Sequence, residues 1–156
     1  MNKILLVIGM LTCSIAYGQE FIKVEGKNFE GYSISEEIPL LVGSPNRFTP
    51  NKEQILKLEN QLQSQIKSIN QARPNQYKGC PVIDKKLEKY LRQYVGYINP
   101  DGNQIILANF IWKSKDFRDK ISKGYLEVLD GCSRYWSIHY NLQTGEFFRF
   151  MVNGEG

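Results

Sequence analysis

The chain has 156 residues, 42% of them hydrophobic and 23% charged, with a formal net charge of +4. That length supports one domain with a real core and is short for two. The excess of base is mild and acids are mixed in throughout, which excludes the one-sided basic surface that nucleic acid requires.

In chain order, residues 1–18 carry the three-part pattern of a secretory signal peptide. Met1-Asn2-Lys3 is a short positive start, Ile4 to Ala16 is an apolar run, and Ala16 and Gly18 place small residues before a cleavage point at Gln19. The apolar run is too short to span a membrane, so the sequence predicts an exported chain, periplasmic or extracellular, with no transmembrane segment after cleavage. A membrane-anchored lipoprotein, acylated through Cys13, is the alternative, although Thr12 before that cysteine is a poor lipobox residue. Once the leader is gone, Cys80 and Cys132 are the remaining cysteines, one candidate disulfide in an oxidising compartment.

Residues 19–48 read as an irregular N-terminal segment, with short strands over Phe21–Val24 and Gly31–Ile34 and turn residues Pro39, Gly43, Ser44, Pro45 and Asn46. Residues 49–156 form a single α+β domain. Thr49-Pro50 predicts a helix start, the hydroxyl capping and proline at the first helical position. Ile55, Leu58, Leu62, Ile66 and Ile69 follow at helical spacing, and Pro74 forbids continuation. Asp84 offers a cap for a short helical turn. From Tyr90 the period changes to two, predicting strands over 92–99, 104–112, 124–129, 133–142 and 146–152 separated by Pro-Asp-Gly, Asp-Gly and Thr-Gly turns. The mixed-charge run Lys113–Lys120 reads as a solvated connection. The helix and four of these strands predict one long helix packed on an antiparallel four-stranded meander whose other face is left to solvent or a partner.

Alternation assigns Trp136, Ile138, Tyr140, Phe148, Phe150 and Val152 to the core. Tyr135, His139, Phe147 and Arg149, with Ser137 and Met151, fall on the opposite face, more aromatic than solvent contact requires, so these first four are the candidate binding residues. No catalytic residue is assigned. His139, a lone histidine with a cysteine elsewhere, suggests a thiol nucleophile, but a bridged sulfur cannot attack. One histidine among scattered acids is no metal-binding set, and no cofactor motif is present.

The order of elements is similar to cystatin-like α+β folds, an analogy that leaves function open. Gln93-Tyr94-Val95-Gly96 differs from the inhibitory cystatin hairpin, its glycine arriving one residue early, and reads as strand. Arg92–Asn99, Asp130-Gly131-Cys132, Tyr135–Ile138, Thr144-Gly145 and Val152-Asn153-Gly154-Glu155 together resemble a group of small exported bacterial proteins ending in an Asn-Gly-Glu tail. That resemblance implies export and a C-terminal meander, and no catalytic residues. The function expected is binding of an unidentified protein, peptide or small ligand. Alternatives are a periplasmic immunity or inhibitor protein, or an enzyme with a pocket between helix and sheet.

Overall fold

The computed structural model describes residues 20–40 and 45–155; the expected leader, Cys13 and the expected cleavage point at Gln19 lie outside them. Among the described residues seven strands form one mixed sheet, with a single 18-residue helix, α1 (Lys52–Ile69), packed on it. The strands are β1 (Phe21–Gly26), β2 (Phe29–Ile34), β3 (Arg47–Phe48), β4 (Tyr90–Ile98), β5 (Gln104–Trp112), β6 (Tyr135–Asn141) and β7 (Phe147–Val152), with a short helix α2 (Lys115–Lys120) between β5 and β6. This sheet-dominated α+β fold replaces the expected cystatin-like arrangement of one long helix on a four-stranded meander.

Two departures explain the difference. At the N-terminus, β1 and β2 form a hairpin, and β2 pairs in parallel with β4, Gly31 to Ile34 alongside Arg92 to Val95. β3 then continues along the same edge of β4, antiparallel, so α1 is the crossover of a parallel β-connection and lies over the sheet centre. Gly96 permits this close approach, since a Cβ there would stand 2.4 Å from the Phe48 carbonyl oxygen.

The second departure is the expected strand at 124–129. It joins no ladder, and β6 pairs directly with β5. Its main-chain groups are satisfied by side-chain amides instead. Gln93 Nε2 donates to the Ile121 and Gly124 carbonyls, Gln93 Oε1 accepts from Leu126 N–H, and Asn109 Nδ2 donates to the Leu126 carbonyl.

Asn51, not Thr49, caps α1. Its side chain accepts from Gln54 N–H while Gln54 reaches back to the Asn51 amide, a reciprocal capping box. Thr49 is instead tied to Glu36 by two hydrogen bonds, fixing the loop after β2. Ile55, Leu58, Leu62 and Ile66 are buried against Tyr90, Tyr94, Ile106, Phe110, Trp136, Ile138 and Tyr140 of the sheet. Each is worth roughly 1.5–3 kcal/mol relative to exposure.

Glu59 lies in the same buried stripe. Its carboxylate accepts from Arg92 Nε at 3.0 Å and from the Tyr94 hydroxyl at 2.8 Å. Arg92, 1% exposed, also donates to the carbonyls of Tyr90 and Leu87, and its guanidinium lies over the rings of Phe29 and Phe110 at 5.6 and 5.2 Å. Removing one partner leaves the other charge buried and uncompensated, so Glu59→Gln should lower unfolding free energy by about 3–5 kcal/mol. The double variant Glu59→Met/Arg92→Leu should recover part of that loss. Urea melts of the three proteins check this; a double variant less stable than Glu59→Gln would contradict it.

Cys80 and Cys132 form a disulfide, Cα–Cα 6.2 Å, across a sequence separation of 52. It joins the chain after α1 to the turn entering β6. Chain entropy over such a loop amounts to about 4 kcal/mol. Replacing both cysteines by alanine should lower the urea midpoint accordingly, and an unchanged midpoint would show the bridge to be energetically idle.

Candidate functional site

The sheet face opposite α1 is not open. Its apolar residues fall into two clusters, Phe21, Ile34, Val95, Tyr97, Ile105 and Leu107 in one, Leu91 and Ile111 in the other, which Ile121 joins from the chain after the short helix. Ile38, Leu40 and Tyr125 pack on the first, and Phe117, Leu126 and Tyr135 on the second. The expectation of a solvated or partner-covered face is thus corrected: the chain covers most of it with its own loops. The charged connection supplies α2, which Ser114 caps, and Arg118 and Lys113 both bridge to Glu30.

Between the clusters a polar row crosses the sheet. Gln93 stands beside Asn109, Asn109 beside Ser137, and Ser137 beside Met151. The 121–130 segment lies over the Gln93–Asn109 end. Asn153 pins its other end by donating to the Val128 and Asp130 carbonyls. Cys132 N–H donates to the Gly154 carbonyl, so the Asp-Gly turn and the Asn-Gly-Glu tail hold each other. Gly131 takes φ +94° there, and a Cβ would meet the Tyr135 ring at 2.5 Å.

Beyond Leu126 the row is uncovered. A groove of about 370 Å³ opens between residues 125–129 and strands β6 and β7, with Asn109, Tyr135, Ser137 and Met151 among its lining. Leu129 and Met151, both in its lining, are 79% and 63% exposed. The Ser137 hydroxyl has no hydrogen-bond partner among the described residues.

The four candidate residues do not share one patch. Tyr135 lines the groove, its ring edge-on to Phe117 at 5.6 Å. Phe147 is turned to the helix side, against Tyr140 at 4.8 Å. The cause is a bulge in β7: Ser137 to His139 on β6 faces Met151 to Phe148 on β7, one residue more. Arg149 absorbs it at φ +49°. Phe148 therefore faces away from α1, beside His139, while Phe150 and Val152 keep the expected core side. Arg149 is exposed and lines a separate cavity of about 700 Å³ with Tyr97, Asn99 and Phe148.

His139 is buried, 8% exposed, its Nδ1 2.8 Å from the Tyr97 hydroxyl. Burial, with the Arg149 charge nearby, lowers its pKa to about 4. Burial also raises that of Tyr97. At neutral pH both groups are uncharged and one donates to the other. The unfolded imidazole, at its ordinary 6.5, binds protons that the folded one refuses, so stability is complete above pH 6.5 and falls as pH drops towards 4. His139→Gln, which cannot titrate, should remove on the order of 2–3 kcal/mol of that dependence. Urea midpoints at pH 4.5 and 7 for both proteins measure it; an equal drop in the variant would assign the acid sensitivity elsewhere.

Compared with protein-family models, curated proteins and solved structures, the chain matches none. Its function is therefore argued from its own geometry. Among the described residues no three of His, Cys, Asp and Glu gather as a metal-binding group, and no helix is long and apolar enough to cross a membrane. The sequence reading missed the role of Asn109, Asn153 and Leu129. The legible signal was amide and hydroxyl residues, Gln93, Asn109 and Ser137, at inward positions of otherwise apolar strands.

Proposed function

We propose that the chain is an exported, non-catalytic domain that holds an extended apolar peptide segment of a partner protein in the groove between residues 125–129 and strands β6 and β7. The leader pattern and the Cys80–Cys132 bridge support export. The observation that carries the binding reading is that Leu129 and Met151, both exposed apolar side chains, line one groove together with unpartnered Ser137. A peptide fits better than a metabolite because this face already binds main-chain groups. Gln93 and Asn109 bind main-chain groups of the 121–130 segment, and Ser137 is the next member of the same row. The space between α1 and the sheet, where an enzyme's pocket was the alternative, is filled by packed side chains and the Glu59–Arg92 pair.

Selection from a random extended-peptide library tests this. Enriched peptides should carry apolar anchors and perturb the amide signals of Ser137 and Met151. The variant Leu129→Glu/Met151→Glu should melt like the parent, since both side chains are exposed, and lose binding by about 2 kcal/mol or more. Peptides that bind this variant undiminished, or no enrichment over it, would reject the groove as the site.

A further inference from the structure

Beside the disulfide, a cavity of about 440 Å³ is lined by Cys80, Pro81, Lys85, Lys86, Trp112 and Arg134, with Gly79 and Val82. It holds three cations and no carboxylate. None of Lys85, Lys86 and Arg134 belongs to a salt bridge among the described residues. The reason is built into the fold. Asp84, the acid adjacent to Lys85, is turned inward, where its carboxylate accepts from Asn70 Nδ2 at 2.6 Å. Asn70, 1% exposed, also exchanges hydrogen bonds with Gln76, and Gln76 Oε1 accepts from Ile83 N–H, so the turn that presents the two lysines is fixed. Arg134 is fixed as well, Nη2 donating to the Gly79 carbonyl at 2.9 Å.

The rest of the lining is apolar and flat. The Trp112 indole is half-buried and held edge-on by Tyr90 at 5.1 Å; Pro81 and the bridged Cys80 stand beside it. Tyr90 and Ser133 brace this wall, Tyr90 donating to the Ser133 carbonyl and Ser133 Oγ to the Pro81 carbonyl. An indole suits a ring, and unneutralised cations suit an anion. We infer that this cavity binds a small ring compound bearing a carboxylate or similar anion, the ring against Trp112 and the charge between Lys85, Lys86 and Arg134. The site is separate from the peptide groove and needs no catalysis.

The chain has two tryptophans, Trp112 here and Trp136, which is 1% exposed under α1. Two indole N–H signals therefore give a local readout and a built-in control. Glucuronate and benzoate are titrated as sugar and aromatic ring anions, glucose and benzyl alcohol as their neutral counterparts, acetate as an anion without a ring. At least one ring anion should shift Trp112 and leave Trp136 in place, with apparent affinity about tenfold above its neutral counterpart and above acetate. Which ring anion does so identifies the source. Lys85→Glu/Lys86→Glu should weaken that binding by about tenfold or more with the Trp136 signal unchanged, showing an intact fold. The inference is overturned if neither ring anion shifts Trp112 up to about 10 mM, if acetate or the neutral compounds act equally, or if the charge-reversed protein binds as before.

Discussion

The Glu59–Arg92 pair is the contact on which the rest of the structure is registered. It lies between α1, the only long helix among the described residues, and the central strand, and its members are spoken for on every side. Glu59 receives the guanidinium and the Tyr94 hydroxyl, while Arg92 reaches back to the carbonyls of Tyr90 and Leu87. An apolar contact tolerates sliding by a helical turn. A buried ion pair does not, because any other register strands a charge in the core. The two flanking rings, from β2 and β5, extend the same constraint to the N-terminal hairpin and the neighbouring strand. This one pair therefore sets where α1 lies on the sheet and where β2 meets β4.

The other face uses the same logic with neutral groups. Beside the short α2, an irregular segment covers it, and amides of Gln93, Asn109 and Asn153 replace the ladder that a strand would have made. A covering layer held by side chains ends where the side chains end. That leaves the groove beyond Leu126 as a built feature, with a polar floor and apolar walls, and it gives the binding reading its physical basis.

Much was legible in local pattern. The α1 stripe, the alternation of β4 to β6 and the cysteine pairing each follow from short-range spacing or simple counting. What was not legible was long-range. Nothing in Phe29–Ile34 says that it pairs in parallel with residues some sixty positions later, and Glu59 looks like any surface glutamate of an amphipathic helix until its partner is known. The segment 124–129 has strand-like composition, but pairing depends on which neighbour claims its backbone, and three amide side chains claimed it. In β7 a single extra residue at Arg149 reversed the facing of Phe147 and Phe148, which period-two reading cannot foresee. The candidate site suffered most: Tyr135 stands at the groove, while His139, Phe147 and Arg149 are dispersed by that bulge and by the loops over the second face.

The parallel pairing of β2 with β4 also bears on how the chain acquires its shape during synthesis. The β1–β2 hairpin emerges first and can close on local contacts, yet the strand that completes its inner edge follows only after β3, α1 and the turns behind it. Until then Phe29 and Ile34 belong to a two-stranded piece with a bare edge, marginal by itself. The non-local closure raises the mean contact separation and slows folding relative to a meander of the same size. Nascent chains that pause in this interval are the ones exposed to edge-to-edge association.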